Sequence, residues 1–386
     1  MKKKSVVATI MAMTTAIALL SGCGERTDIE DKTVVVSEDG GESSTVQETG
    51  GSNVPLPTDV MPETEVMSSV DGAEEVPETQ SADSTVEGGE PDTAQSELPE
   101  QEESSMVFEL SEGELAARRE QQQNFAEARE LLYSLPNSKD KTEKINQMDR
   151  QILANNAYNF GTRNIVFIGD SITEGITSAV DGNGNLVSYV TYANSYLRFN
   201  RVLNHGLGGR MFSVYGGEEL SLAMNFGNVT NINSDVIVVF AGVNDYLSTP
   251  ATKRFGDVND KLSTSGYCGS VRLFMKQLYE YYGDRDIFFV MMYNTSKNVK
   301  SSYSDITWQP TLNDYLEVQR TLAKEYGFNV IELYDIGFMD CSDKESSDFY
   351  LRDGLHPKDN GNIVLGEHIA AELSLYFAQK EENKKQ

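Results

Sequence analysis

The chain has 386 residues and a formal net charge of -28, from 60 acidic against 32 basic side chains, with three histidines and three cysteines. Acidity on this scale, with no compensating basic patch, argues against nucleic acid as a partner. No cysteine stands in a Cys-x-x-Cys spacing, which argues against a structural zinc site, and the residues call for no cofactor.

In chain order, Lys2-Lys3-Lys4 form a positive start, and Val6 to Leu20 is an apolar run too short and wrongly flanked for a stable transmembrane helix. Leu20-Ser21-Gly22-Cys23 comes directly after it and resembles the lipobox of bacterial lipoproteins. That resemblance implies export, cleavage of the signal segment 1–23 before Cys23, acylation of the Cys23 thiol, and a membrane partner through that anchor. More than one acyl chain on a single cysteine anchors stably where one chain alone does not. Residues 24–110 are rich in Glu, Asp, Ser, Thr, Gly and Pro, with only Arg26 and Lys32 as basic residues. They bury too little apolar surface to offset ordering entropy and read as a disordered acidic linker. A flexible coil of about 85 residues spans roughly 50 Å. Most of the negative charge thus belongs to a tether and says nothing about a substrate.

Ser111 is a candidate N-cap, with Glu114 at the capping-box position, for a helix over Glu112–Leu135 that Pro136 stops. A weaker helix runs from about Thr142 to Asn155. Residues 111–160 read as a helical spacer ahead of a main domain at 161–380. In that domain the pattern predicts strands at Asn164–Ile168, Arg201–Asn204, Val236–Phe240, Ile287–Met292 and Asn329–Leu333. Helical stretches lie near Cys268–Tyr282, Pro310–Tyr326 and Gly361–Ala378. This alternation predicts an α/β fold: a three-layer, doubly wound, flavodoxin-like sheet of about five parallel strands. Sites in such sheets lie outside the carboxyl ends of the strands, so the residues just beyond each strand are the informative ones.

Ser171 comes after the first strand through Gly169-Asp170, at the start of a helix whose unpaired N–H groups favour negative charge. Asn204-His205-Gly206-Leu207-Gly208-Gly209-Arg210 stands at the end of the second strand and Gly242-Val243-Asn244-Asp245 at the end of the third. Asp353-Gly354-Leu355-His356-Pro357 lies beyond the last. These four blocks, in this order, resemble those of the SGNH/GDSL hydrolases over about Asn164 to Leu375; Phe255-Gly256-Asp257 resembles a further segment of some members. The resemblance implies a carboxylic ester hydrolase with Ser171 as nucleophile, His356 as base, and Asp353 three residues away to hold the imidazole. It implies an oxyanion hole from the Ser171 N–H, a glycine N–H of the second block and the Asn244 amide. Gly209 is that glycine, with Gly208 open as the alternative because the two are adjacent. Thr173 stands where the Gly-x-Ser-x-Gly elbow has its second glycine, and no apolar lid segment is visible.

Other features receive plainer readings. His205 beside the glycine turn is structural, and His368, mid-helix beside Glu367, occupies a solvated or edge position. Cys268 and Cys341 are either a pair or two buried thiols, and sequence spacing does not decide. Asp181 to Asn185 resembles the opening of a calcium loop, but Leu186 holds the glycine position and Tyr192 the acidic one, so it reads as a hairpin or loop with no metal. Tyr246, Phe255, Tyr267 and Trp308 are sugar-stacking candidates or simple packing. The reading that results is an extracytoplasmic, lipid-anchored serine esterase acting on acylated small molecules or O-acetylated polysaccharide. The alternatives are a longer-chain acylhydrolase, an envelope O-acyltransferase and a non-catalytic binding lipoprotein.

Overall fold

The computed structural model describes residues 110–182, 184–248, 255–297 and 310–385. Cys23, the signal segment, the linker through residue 109 and Trp308 lie outside them. Five strands form one parallel sheet: β1 (Asn164–Gly169), β2 (Arg201–Gly206), β3 (Val236–Phe240), β4 (Asp286–Val290) and β5 (Asn329–Ile331). Their spatial order is β2-β1-β3-β4-β5. The chain steps from β1 to β2 on one side, then crosses back to β3 on the other. A crevice opens where the order reverses, at the carboxyl ends of β1 and β3. The register places Gly169 beside Gly206 on one flank and Phe240 on the other. The segments leaving these three strands therefore emerge side by side.

The helices are α1 (Glu112–Leu132), α2 (Lys139–Ala154), α3 (Ser171–Glu174), α4 (Tyr189–Leu197), α5 (Phe226–Val229), α6 (Val243–Ser248), α7 (Tyr267–Tyr282), α8 (Leu312–Tyr326), α9 (Lys344–Tyr350) and α10 (Asp359–Lys385). On one face of the sheet α10 packs against α2 and α4; on the other α7 packs against α8. Strands β1 and β3 are buried almost end to end, as strands covered on both faces are, whereas β2 is an edge and exposes Arg201 and Asn204. Helix α7 buries Val271, Phe274, Met275 and Leu278, the spacing of one helical face.

Two expectations need correction. The helices of residues 111–160 are no free spacer: they belong to the same compact unit as the sheet. Ser111 and Glu114 do form a capping box at the start of α1. Beyond it, Gln122 Nε2 donates to Ser374 Oγ on α10 at 2.7 Å, and Arg129 pairs with Asp149 on α2 and Glu372 on α10. His368 is not solvated but fully buried, with Nδ1 2.8 Å from Asp149 Oδ2 and its ring stacked on Phe338. Helix α10 is covered by α2 and α4 as well as by the sheet, so the side that a two-layer packing would leave wet is core. For Tyr246, Phe255 and Tyr267 the packing alternative holds: they are 8%, 8% and 1% exposed and pack with Tyr315 in an aromatic cluster. Cys268 and Cys341 are free buried thiols; burial pushes the first up to about 12 and the second higher. The 180–186 segment is a loop bridged at Val180 and Leu186, with the Asp181 carboxylate accepting the Asn185 N–H at 2.8 Å.

Candidate active site

Strand β1 ends on Gly169 because nothing larger fits: a Cβ there would stand 2.1 Å from Thr173 Oγ1 and 2.4 Å from the Phe240 carbonyl. Asp170 then caps α3, its Oδ1 accepting the Ile172 N–H at 3.0 Å, and Ser171 is the first helical residue. Helix α3 is a single turn closed by Gly175 in the left-handed region. Its macrodipole is correspondingly small, and the individual N–H groups at its start matter more. Thr173 is fully buried, its hydroxyl 3.0 Å from that of Tyr189. A side chain that ties the turn to α4 stands where other hydrolases need a glycine.

Ser171 is 5% exposed and its Oγ lies 2.8 Å from His356 Nε2. His356 Nδ1 lies 2.9 Å from Asp353 Oδ2. The turn that carries both residues is built tightly. Asp353 Oδ1 accepts the N–H groups of Leu355 at 3.1 Å and His356 at 2.9 Å, and Gly354 takes φ +81°, which favours glycine. The segment after β4 clasps it: Tyr293 donates to the Leu355 carbonyl, Thr295 to that of Gly354, and Lys297 Nζ to Asp353 Oδ2 at 2.8 Å. Burial alone would raise the Asp353 carboxyl. The His356 N–H, the Lys297 ammonium and the His356 ring outweigh it and hold the group well below the usual carboxylate range. An ionised carboxylate only accepts, so His356 carries its hydrogen on Nδ1 and presents the Nε2 lone pair to Ser171.

The glycine turn after β2 lies over Ser171. A Cβ on Gly208 would sit 3.9 Å from Ser171 Cβ and 2.8 Å from Ile176 Cδ1. Gly208 donates its N–H to Glu174 Oε2 at 2.6 Å, while Gly209 takes φ +80°. Glu174 thereby separates the two glycines that sequence left open: the Gly208 donor is already engaged inside the protein. After β3, Gly242 takes φ +109°, with no room for a side chain beside Gln319 and Phe212. Asn244 follows two residues on, its Nδ2 donating to the Arg210 carbonyl at 3.0 Å. That bond uses one of two amide hydrogens. His205 instead faces away, its Nδ1 2.8 Å from the Val229 carbonyl.

Beneath this surface Asp245 accepts the Phe212 N–H at 2.8 Å, the Ser213 N–H at 3.0 Å and the Ser213 hydroxyl at 2.6 Å, which locks the loop after the glycine turn to α6. Burial pushes its carboxyl up to about 6. Burial first, and then the Asp245 charge, push Asp170 up to about 7. A folded chain that binds these protons more tightly than the unfolded one is stabilised fully below about pH 4 and loses that stability as pH rises through 7. Asp170→Asn keeps an acceptor for Ile172 and removes one of the two carboxyls. Its melting temperature should fall less than that of the wild type between pH 5 and 7.5. Parallel curves from calorimetry across that range would refute this assignment.

The structure thus brings together Ser171, His356 and Asp353, while Gly209 and Asn244 lie beyond the ends of β2 and β3, joined through the Asn244 bond to the carbonyl of Arg210, the residue after Gly209. Sequence reasoning missed Lys297, Glu174 and the Asp170–Asp245 pair. Reading the residues beyond the end of β4, as was done for β1, β2 and β3, would have pointed at Tyr293 to Lys297.

A buried nucleophile turn, an imidazole on its hydroxyl and a carboxylate on that imidazole, all at one crevice of a parallel α/β sheet, define a serine hydrolase. Residues 167–363 match the GDSL-like lipase/acylhydrolase family, and the chain belongs to that family. No curated protein matches the chain. Among solved structures, a protein of Lactobacillus plantarum is similar at 21% identity and TM-score 0.46, over 55% of this chain and 97% of that one. An acetylxylan esterase of Geobacillus stearothermophilus is similar at 15% identity and TM-score 0.40, over 56% and 96%.

Proposed function

We propose that the chain is an extracytoplasmic serine esterase that removes small acyl groups, O-acetyl groups on carbohydrate foremost, through an acyl-Ser171 intermediate. The observation that carries the reading is the unbroken relay of 2.8 Å from Ser171 Oγ to His356 Nε2 and 2.9 Å from His356 Nδ1 to Asp353 Oδ2. In the first half-reaction Ser171 Oγ attacks the ester carbon while its proton passes to Nε2. The carbonyl oxygen becomes an oxyanion facing the N–H groups of Ser171 and Gly209 and the free amide hydrogen of Asn244. Collapse breaks the bond to the alcohol, which leaves with the proton from Nε2. Water, giving a proton to the same nitrogen, then attacks the acyl carbon; the bond from that carbon to Ser171 Oγ breaks, Oγ takes the proton back from Nε2, and the acid is released.

Asn244→Ala removes one oxyanion donor, and its expected cost is about 100- to 1,000-fold in kcat. The partner of that amide inside the protein is one carbonyl, so the folded state should survive. Wild-type turnover in a folded Asn244→Ala protein would take Asn244 out of the site.

Location and substrate rest on the sequence. The Leu20-Ser21-Gly22-Cys23 pattern and the acidic linker would place the enzyme on a stalk outside the membrane, within reach of envelope or external polymers. A panel of p-nitrophenyl esters from acetyl to palmitoyl, run beside O-acetylated xylan and peptidoglycan with acid and acyl-transfer products separated, tests the reading. Acetate released fastest from acetyl esters and from acetylated sugar supports it. A preference for long chains, or acyl transfer in place of release, would replace it.

A further inference from the structure

We infer that Lys297, outside the serine–histidine–aspartate relay, is a positioning residue that sets the acid limit of the Asp353–His356 couple. The inference rests on the esterase reading of that couple and on a full count of donors around one carboxylate. Asp353 Oδ1 holds two backbone N–H groups, from Leu355 and His356. Asp353 Oδ2 holds His356 Nδ1 at 2.9 Å and Lys297 Nζ at 2.8 Å. All four acceptor positions of the carboxylate are therefore filled, and the ammonium occupies the same oxygen as the imidazole. A carboxylate that serves only the histidine lends its whole charge to the imidazolium that forms as Ser171 gives up its proton. Here part of that charge is spent on an ammonium beside the same oxygen, and the ammonium itself repels a protonated ring.

The segment that carries Lys297 is not a loose surface strand end. Tyr293 and Thr295, both buried, donate to the Leu355 and Gly354 carbonyls, and Ser296 Oγ lies 3.3 Å from the Gly354 carbonyl. A Cβ on Gly354 would meet Ser296 Oγ at 2.5 Å, so the Ser296 side chain packs directly on the turn. Lys297 thus reaches Asp353 from a fixed base. Tyr293, which burial keeps neutral, feels the charge of Asp353 and also faces the buried Cys341 and Asp170. Arg352 and Lys358 flank the turn, but the Lys358 ammonium is spent on the Asp348 carbonyl. Among the described residues, Lys297 is the lysine or arginine seated on the catalytic carboxylate itself.

The consequence has a definite sign. With Lys297 present, the relay becomes active at lower pH than an Asp353–His356 couple would reach alone. Lys297→Met should move the acid limb of the kcat/KM profile to higher pH by about one unit, the scale of a single nearby charge reduced by partial exposure. Lys297→Arg should restore the wild-type limb. The profile is measured on a neutral acetyl ester with released acetate quantified, so that no leaving-group ionisation enters. In parallel, the ring protons of His356 are followed by NMR in the full chain; with three histidines the signal is assigned by its loss in His356→Gln. The NMR reading needs no turnover, so it stands even where the enzyme hydrolyses none of the esters tried. An acid limb and ring titration that stay in place in Lys297→Met, with only the melting temperature lowered, would reduce Lys297 to a tie on the turn and overturn the inference.

Discussion

Ser171→Ala is expected to lower kcat by about six orders of magnitude while leaving the melting temperature within about a degree of the wild type. The hydroxyl is the only atom removed, and its hydrogen-bond partner in the folded chain is His356 Nε2. Nothing else leans on it: the Ser171 carbonyl caps α3 through the Gly175 N–H, and that backbone bond is untouched. His356→Ala should cost nearly as much, and the double variant little more than either single one. Nucleophile and base act as one unit, so removing the second partner of a broken unit has little left to remove. Rates measured on an acetyl ester for the three variants, beside circular-dichroism melting, check this. Losses that multiply in the double variant would show that the two side chains work independently and that the relay is not the catalytic device.

The second large effect is expected at Asp353. Replacement by Asn changes one oxygen to an NH2 group, and the structure decides which. The Oδ1 position accepts two backbone N–H groups, so the amide oxygen must stay there. The NH2 group is then forced to the Oδ2 position, facing His356 Nδ1 and the Lys297 ammonium. A donor at that place asks Nδ1 to accept, which moves the ring hydrogen to Nε2 and leaves no lone pair for Ser171. Asp353→Asn should therefore lower kcat about 10,000-fold at neutral pH with the turn intact. The loss should exceed that of Asn244→Ala by an order of magnitude or more. A smaller loss in Asp353→Asn than in Asn244→Ala would mean that the imidazole does not depend on this carboxylate for its tautomer.

How far these residues could be read from sequence depended on how local their signals were. All five strands were legible, because β1, β3 and β4 are buried apolar runs, although β2 reaches two residues further than its apolar pattern and β5 stops two residues earlier. Helix α4 was missed: Tyr189, Val190, Ala193 and Leu197 do fall on one buried face, but nine residues are too few for a sustained periodic signal. The placing of Ser171, Asn244 and the Asp353/His356 turn at one crevice came from strand order, since each lies just beyond a strand end or in the last irregular segment. The burial of His368 did not, because it depends on Asp149 and Phe338, 219 and 30 residues away in sequence, and on α2 lying across α10. Tyr246, Phe255 and Tyr267 likewise carried no mark that distinguished a core cluster from an exposed platform. Lys297 had a positional signal, since it follows the carboxyl end of β4, but its partner is 56 residues on and the pairing has no local signature. Glu174 is intermediate. It sits beside the nucleophile in sequence, but its bond to Gly208 is set by the closeness of α3 and β2.

The central claim is that Ser171 is the residue that becomes acylated. Treating the full-length chain with a fluorophosphonate and mapping the adduct by peptide mass spectrometry tests it most directly. The account predicts one phosphonyl group per chain, on the peptide that carries Ser171, with labelling lost in Ser171→Ala and strongly slowed in His356→Ala. An unlabelled wild-type chain in which His356→Ala leaves the spectrum unchanged, or an adduct on a different serine, would contradict it.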